Sequence, residues 1–332
     1  MIIDKINLVN FRCHATYVLK CKKKTTLIVG ENGCGKTSVL EAIYEAMRGK
    51  SFRAVDKDIV RRGEDFYRIE LDYTDGEKVI VTYDGQMKKF LVGDKKWARL
   101  PKKYRYPVVL FLPSDLHLVG SSPSRKRDYF DRTFSELREN YSSSLSRYNK
   151  ALKQRNELLK NEFVSREGLF PWNVMLAKYG CEIRKWRELE VEAINRQITE
   201  VYRTIADNRD EVKIKYETQD VVISESEYLL QLERNFEKDK LLGHTSFGVH
   251  RDNYDFIFNG ELADGSASRG EVRSIILALK FIEADMIYKR SARRPIVLLD
   301  DVFSELDETR QKCLVQNFKD NQVVITSVDY SE

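Results

Sequence analysis

Apolar and polar residues alternate in short segments along both ends of the chain, which is the spacing of β-strands. Turn signals such as Asp75-Gly76 and Asp84-Gly85 separate several segments, and two compact apolar runs have the character of buried strands. The predicted strands are residues 5–10, 25–29, 67–73, 78–83, 89–92, 107–112, 254–258, 296–299 and 323–326. Helices are predicted at 38–47, 271–288 and 307–318. Both ends therefore mix strands with helices, and we predict an α/β fold.

The apolar spacing changes to three and four residues in the middle of the chain, which is the period of a helix. One apolar face runs from Phe130 to Leu159 and a second from Trp172 to Ile205. The segment 163–171 breaks the pattern, so we predict two long helices joined as a hairpin. The predicted domains are an α/β head made of residues 1–113 and 246–332, and an inserted helical arm of residues 114–245.

The composition is that of an ordinary globular protein: 332 residues, 42% apolar and 33% charged. A net charge of +5 permits nucleic-acid binding without arguing for it. The longest apolar runs are strand-sized, and the first residues show no secretory signal. The five cysteines are scattered and never spaced as Cys-x-x-Cys, which argues against a zinc site and a disulfide framework. We expect a cytoplasmic protein that does not enter membranes.

A phosphate-binding motif follows the predicted strand 25–29. It reads Gly30-Glu31-Asn32-Gly33-Cys34-Gly35-Lys36-Thr37, with Ser38 next, and fits G-x-x-x-x-G-K-[ST]. The glycines let backbone N–H groups face one anion, and the following helix directs its positive end at the phosphates. Lys36 is expected to reach the β- and γ-phosphates, and the Thr37 hydroxyl to ligate Mg²⁺. The motif predicts ATP and Mg²⁺ as cofactors.

Two carboxylates end the predicted strand 296–299. A buried parallel strand carries its ligands at the carboxyl end, so Asp300 is expected to bind Mg²⁺ and Asp301 to orient or deprotonate the attacking water. The alternative is that these acids merely stabilise the next helix start, where Ser304 and Asp307 resemble a capping box.

A second helix start has the character of an anion site. The segment Ser268-Arg269-Gly270-Glu271 opens the predicted helix 271–288, and Ser268 with Glu271 fits a capping box. A helix N-terminus with a serine hydroxyl and a glycine also suits a phosphate. A nucleotide held between two subunits, each supplying a different half, would accommodate both phosphate-facing helix starts.

These motifs, in this order and around a helical insertion, resemble those of the ATP-binding-cassette ATPases of chromosome maintenance, and among them the RecF family. The resemblance runs over nearly the whole chain. It is carried by Asn10-Phe11-Arg12, Leu40-Glu41-Ala42-Ile43-Tyr44, Gly49-Lys50-Ser51-Phe52-Arg53, the segments 120–127 and 153–159, His250-Arg251-Asp252, Ser268-Arg269-Gly270, and residues 299–307.

The resemblance implies a mixed sheet with flanking helices in the head, and ATP sites shared between subunits. Ser268 to Gly270 would contact the γ-phosphate of the partner's ATP, Ser304 to Asp307 would lie at the dimer interface, and Arg12 would approach the nucleotide. ATP would drive a head-to-tail homodimer that clamps double-stranded DNA near single-strand gaps, and hydrolysis would release it. RecR and RecO would join it in helping RecA load, in the bacterial cytoplasm at the nucleoid. Lys36, Ser268 and Asp301 would be the catalytic residues.

Some features depart from this pattern or leave other functions open. Cys34 replaces a more usual serine. Asp301 replaces the glutamate of most transporter-type cassettes, which suggests slow turnover, and the resemblance implies a weak ATPase that DNA stimulates. A transporter subunit and a nucleotide-sensing module remain alternatives, whereas a long-armed chromosome protein needs heptad arms that the insertion is too short to supply. Basic clusters at 22–24, at Arg53 with Arg61 and Arg62, at 102–105 and at 125–127 are candidates for DNA contacts.

Overall fold

The computed structural model describes residues 2–219 and 224–328. The strands in these residues are β1 (Ile3–Phe11), β2 (His14–Lys20), β3 (Thr25–Val29), β4 (Tyr67–Tyr73), β5 (Lys78–Tyr83), β6 (Lys88–Val92), β7 (Lys95–Trp97), β8 (Val108–Phe111), β9 (Val212–Glu217), β10 (Asn253–Phe258), β11 (Glu261–Leu262), β12 (Ile296–Asp300) and β13 (Val323–Ser327). The helices are α1 (Lys36–Arg48), α2 (Pro123–Leu137), α3 (Glu139–Leu159), α4 (Arg166–Asn195), α5 (Ile198–Ala206), α6 (Glu225–Arg234), α7 (Phe236–Leu242), α8 (Ala263–Ser266), α9 (Arg269–Ser291) and α10 (Glu308–Asn317).

The chain divides into two compact units. The first comprises residues 1–115 and 283–332, and the second residues 116–282. Residues 246–282, predicted to belong to the head, group with the second unit because β10 pairs along its whole length with β9. The functional domain boundary at 246 stays a prediction.

Two sheets build the first unit. A parallel sheet has the strand order β3-β13-β12-β8, and an antiparallel sheet has the order β2-β1-β4-β5-β6-β7. Every residue of β12 is buried, as expected for the middle of a parallel sheet covered on both faces. Eleven of the thirteen residues of α1 are buried as well, so this helix lies within the core. The carboxyl ends of β3 and β12 lie at the same edge, which sets the phosphate-binding loop beside the acidic strand end.

A helical hairpin dominates the second unit. Helices α3 and α4 pack against each other as a hairpin, as predicted, and a sheet of order β11-β10-β9 accompanies them. The two predicted long helices are each divided, however: α2 ends at Leu137 before α3 begins, and α4 ends at Asn195 before α5 begins. The predicted break at 163–171 is too long, because α4 already begins at Arg166 and contains Pro171. Ser165 caps this start by accepting a hydrogen bond from the Gly168 N–H at 3.2 Å. Among the described helices, none combines the length and apolar character that crossing a membrane requires.

Candidate nucleotide-binding site

The loop between β3 and α1 has the backbone shape that an anion-binding loop needs. Gly33 and Gly35 adopt φ values of 84° and 100°, in the left-handed region that favours glycine. A Cβ on Gly35 would lie 2.3 Å from Cys13 Sγ, so the loop backbone packs directly against the turn between β1 and β2. Helix α1 begins at Lys36, and its N-terminus therefore opens onto the loop.

Lys36 folds over the loop that precedes it. Its Nζ donates hydrogen bonds to the carbonyl oxygens of Gly30 and Glu31, at 2.5 Å and 2.9 Å. A lysine ammonium has three N–H groups, so one remains for a phosphate oxygen. The side chain is thereby fixed above the loop rather than extended into solvent, since only 8% of Lys36 is exposed.

Thr37 and Asp300 meet at the start of α1. The Thr37 Oγ1 donates a 2.8 Å hydrogen bond to Asp300 Oδ1, and the same carboxylate oxygen accepts a 3.0 Å bond from Thr326 Oγ1 on β13. Asp300 is buried at the end of β12, with 7% exposure. The hydroxyl and the carboxylate predicted to hold a metal ion are thus in direct contact.

Asp301 has an unusual backbone and an unsatisfied side-chain atom. Its φ of 49° is left-handed, which is strained for an aspartate, and its N–H is held by Thr326 Oγ1 at 2.9 Å. Its Oδ1 is buried and accepts no hydrogen bond from any residue that the structure describes. Backbone strain and an unpaired buried oxygen are both concentrated at functional sites.

A cavity of about 480 Å³ lies over the loop, within the volume range of small-molecule sites. Its walls are loop residues, the two aspartates at the end of β12, and three arginines, Arg12, Arg53 and Arg62. Arg12 is fixed there: its Nε and Nη2 donate to the two carboxylate oxygens of Glu41 at 2.9 Å and 2.8 Å, and its Nη1 donates to the Asp58 carbonyl at 2.7 Å. Arg12 also has a left-handed φ of 55°.

Known proteins share this architecture. A family model described as "AAA ATPase domain" matches residues 1–246. The DNA replication and repair protein RecF of Clostridium perfringens (strain 13) is 32% identical over 335 residues, covering 98% of this chain and 92% of that protein. The corresponding protein of Lachnoclostridium phytofermentans is 30% identical, covering 100% and 94%. The chain belongs to the RecF family.

A solved structure of the recombination mediator protein RecF-ATP in the RecFOR pathway has the same fold as this RecF-family chain. The TM-score is 0.87 at 27% identity, covering 100% of this chain and 93% of that one. The predicted fold class, an ATP-binding-cassette head with an inserted helical arm, is confirmed, as is the predicted family. The chain is an ATP-binding ATPase of DNA replication and repair, and the transporter and sensor alternatives are not favoured.

The other predicted elements of a RecF-family site lie as follows. Ser268 and Glu271 form the capping box of α9, since the Ser268 N–H donates to Glu271 Oε2 at 2.6 Å and the Glu271 N–H to Ser268 Oγ at 3.3 Å. The predicted capping box of Ser304 with Asp307 is wrong. Asp307 is itself the N-cap of α10, accepting from the Arg310 N–H at 3.0 Å, while Ser304 Oγ donates to the Asp301 carbonyl at 2.9 Å.

The basic clusters differ in what their side chains contact. Within 125–127, Lys126 is buried and forms an ion pair of 3.5 Å with Asp255, and Arg127 Nη1 donates to the Asp252 carbonyl at 2.8 Å. Lys126 is thus held inside the second unit, whereas Arg127 is only partly buried. Residues 22–24, by contrast, are all exposed.

Three residues of the site, Glu41, Arg53 and Thr326, were not predicted to belong to it, and Arg53 was predicted only as a member of a basic cluster that could contact DNA. Glu41 and Arg53 lie in segments that carry the family resemblance, and a glutamate inside the apolar run of α1 is a signal of a buried partner. Thr326 shows no such signal, because its contacts with Asp300 and Asp301 depend on the pairing of β13 with β12.

The residues at the end of β12 fit a bound Mg²⁺. Mg²⁺ prefers oxygen ligands and is usually held by one or two protein groups together with phosphate oxygens and waters. Thr37 Oγ1 and Asp300 Oδ1 supply oxygen atoms at one point, and the unpaired Asp301 Oδ1 can accept a hydrogen bond from a water. No cluster of three or more His, Cys, Asp or Glu ligands occurs in the described part of the chain, so a metal held by protein alone is not indicated there.

Proposed function

We propose that this chain binds ATP with Mg²⁺, closes as an ATP-dependent homodimer on DNA, and opens again after slow hydrolysis. The observation that carries the proposal is the contact of Thr37 with Asp300 beside the unpaired carboxylate oxygen of Asp301. The membership in the RecF family supports the assignment to DNA replication and repair.

The phosphates would lie over the loop between β3 and α1. Backbone N–H groups of residues 30–38 and the N-terminus of α1 would face the phosphate oxygens, and the third N–H of Lys36 would reach the β- and γ-phosphates. Thr37 and Asp300 would hold Mg²⁺, which neutralises the charge that develops on the phosphates. Arg12 would add a positive charge at the cavity wall.

Asp301 would act on the attacking water. Its unpaired Oδ1 is the kind of acceptor that orients a water for in-line attack on the γ-phosphate. An aspartate reaches less far than the glutamate used in many cassette ATPases. Turnover would therefore be weak, with DNA binding stimulating it.

The second half of each site would come from a partner subunit. Ser268 and Gly270 at the start of α9 would approach the γ-phosphate bound to the partner, where the Ser268 hydroxyl and the helix N-terminus add hydrogen-bond donors. Residues 304–307 come shortly after Asp301 in the chain and would lie at the dimer interface. Hydrolysis removes the γ-phosphate contact and so favours the open state.

DNA would be the macromolecule that the closed dimer holds, at gaps or junctions of single and double strands. The binding would rest on phosphate contacts and weaken as salt rises. By family resemblance, RecR and RecO would join the complex and RecA would be loaded, which places the protein at the nucleoid.

Sedimentation velocity of the full chain with and without Mg-ATP and a gapped DNA duplex tests this function. The proposal predicts a monomer without ATP, a dimer with ATP, and co-sedimentation of the dimer with DNA. Lys36→Ala is expected to stay monomeric, whereas Lys240→Ala, at an exposed lysine on α7, dimerises normally. A wild-type chain that remains monomeric in saturating Mg-ATP and ignores DNA would contradict the proposal.

A further inference from the structure

A single buried carboxylate gathers two arginines at the wall of the nucleotide cavity. Glu41 lies on α1, one turn after the phosphate-binding loop, and is 0% exposed. Besides the bidentate contact with Arg12, it accepts hydrogen bonds from Arg53 Nε at 2.9 Å and from Ser51 Oγ at 2.6 Å. Arg53 Nη2 forms an ion pair of 2.9 Å with the same carboxylate.

The charges in this cluster do not cancel. Burial alone would raise the pKa of Glu41, but the hydrogen bonds from Arg12, Ser51 and Arg53 outweigh it and lower the pKa below its usual value. Glu41 is therefore ionised at neutral pH, and its one negative charge is shared by two guanidinium groups. Elsewhere the cavity is lined by Lys36 and Arg62, which are positive, and by Asp58, Asp300 and Asp301, which are negative. The cluster retains a surplus positive charge, which suits a bound anion.

Of the two arginines, Arg53 has the guanidinium group with unused N–H donors. Its side chain is 37% exposed, compared with 22% for Arg12. The Nη1 of Arg53 has no hydrogen-bond partner among the residues that the structure describes, while its Nη2 lies 3.3 Å from Ser38 Oγ at the beginning of α1. Arg53 is thus tied to the phosphate-binding helix on one side and offers two N–H groups on the other.

Glu41 also orders the loop that carries Arg53. The Ser51 hydroxyl that donates to Glu41 accepts hydrogen bonds from the N–H groups of Arg53 and Ala54, at 3.0 Å and 3.1 Å. Glu41 therefore fixes Arg53 in two ways: it binds the guanidinium directly, and it orders the backbone turn that carries Arg53 through the Ser51 hydroxyl.

We propose that Glu41 is a positioning residue of the ATP site, which holds Arg12 and Arg53 so that Arg53 contacts the phosphates of the bound nucleotide. This inference rests on the proposed ATP-binding function. Glu41 itself touches no substrate. It acts by keeping two cations in one geometry, and replacing it by a neutral side chain leaves two guanidinium groups that repel each other.

Glu41→Gln tests the inference, with Glu45→Gln as a matched control. Glu45 lies on the same helix, is also 0% exposed, and contacts Tyr67 and Lys88 instead of the two arginines. Both variants are expected to lower the thermal midpoint of unfolding. Only Glu41→Gln is expected to lower kcat/KM for ATP, by about tenfold to 100-fold, as misplacement of a catalytic group by about 1 Å does.

Arg53→Gln separates positioning from folding, because Arg53 is partly exposed and its loss leaves the pair of Glu41 with Arg12 in place. We expect Arg53→Gln to lower the thermal midpoint less than Glu41→Gln does, and to reproduce most of the loss of kcat/KM. The double variant Glu41→Gln with Arg53→Gln is expected to lose less than the product of the two single effects, since both act through one contact.

Distinct results overturn the inference and the underlying function. If Arg53→Gln turns over ATP like the wild type, or if Glu41→Gln loses no more activity than Glu45→Gln, the inference is wrong while ATP binding stands. If the wild-type chain itself neither binds nor hydrolyses ATP, the proposed function fails first.

Discussion

Thr37 Oγ1 and Asp300 Oδ1 lie 2.8 Å apart although 263 residues separate them in the chain. The contact joins the first turn of α1 to the end of β12, and it exists because β3 and β12 end at the same edge of one parallel sheet. Thr326 Oγ1 contacts the same carboxylate oxygen at 3.0 Å from β13. Strand β13 lies between β3 and β12 in this sheet, and its Thr326 therefore helps to set the position of Asp300, the predicted metal ligand.

Thr326→Val tests this role of β13. The hydroxyl of Thr326 donates to Asp300 and accepts from the Asp301 N–H. Its loss leaves the Asp301 N–H without this partner and removes one of the two hydrogen bonds that Asp300 Oδ1 accepts, the other coming from Thr37. We expect a loss of about 1–3 kcal/mol in the free energy of unfolding, measured in urea, and a lower ATPase rate. Thr16→Val, at an exposed threonine of β2, is expected to change stability by less than about 0.5 kcal/mol. Equal stability of the two variants would contradict this account of Thr326.

Thiol reagents are expected to inhibit ATP binding through Cys13 and Cys34. Both cysteines are exposed, and Cys13 Sγ lies 3.8 Å from the Cys34 carbonyl beside the phosphate-binding loop. Burial raises the pKa of Cys21 and of Cys181 to about 11, so these thiols react slowly because the thiolate is the nucleophile. A maleimide should therefore reduce the binding of a fluorescent ATP analogue by the wild type.

The double variant Cys13→Ser with Cys34→Ser is expected to bind the analogue and to resist the maleimide. Cys313→Ser, which leaves both loop thiols in place, should remain as sensitive as the wild type. Inhibition of the double variant to the wild-type extent would show that the loop thiols are not the cause.

His250 is expected to make the stability of the second unit depend on pH. Burial is the main reason that its pKa falls from 6.5 to about 4. The neutral ring accepts from Tyr148 Oη at 2.8 Å through Nδ1 and donates to the Thr245 carbonyl at 3.0 Å through Nε2. The unfolded chain binds this proton more readily than the folded one between pH 6.5 and about 4, so stability falls as the pH falls through that window.

Between pH 7 and pH 5 this histidine should cost about 2 kcal/mol in the free energy of unfolding, measured in urea at each pH. His250→Gln cannot take up the proton, and its unfolding free energy should change less over the same interval. An identical pH dependence in wild type and variant would assign the effect to other groups.

Much of the fold could be predicted from the sequence because its signals are local. The alternation in β4 and β5 and the apolar face of α3 are readable from neighbouring residues, and those elements lie where the pattern indicates. Strand β9 carries the same signal, with Val212, Ile214 and Tyr216 alternating with lysines, but the prediction did not include it.

The nucleotide-binding site could be predicted from the sequence only in part, for a physical reason. The phosphate-binding loop is one continuous motif, whereas the pairing of Glu41 with Arg53 and of Thr326 with Asp300 depends on chain segments that meet only in the folded state. The acidic strand end was placed correctly by the rule for parallel sheets. The residues that contact this strand end, such as Thr326, are determined by the order of strands in the sheet, which no local pattern specifies. The catalytic roles assigned to Lys36, Ser268 and Asp301 stay predictions.

The most direct test of the central claim is to mix two inactive variants, Ser268→Ala and Asp301→Asn, and to measure ATP hydrolysis. Each retains its phosphate-binding loop, and each alone should hydrolyse ATP poorly. If sites are shared between subunits, a mixed dimer has one intact site, built from the Asp301 of one chain and the Ser268 of the other. Random pairing should then restore up to about a quarter of the wild-type rate per chain. A mixture no faster than the mean of its two components would contradict the shared-site dimer.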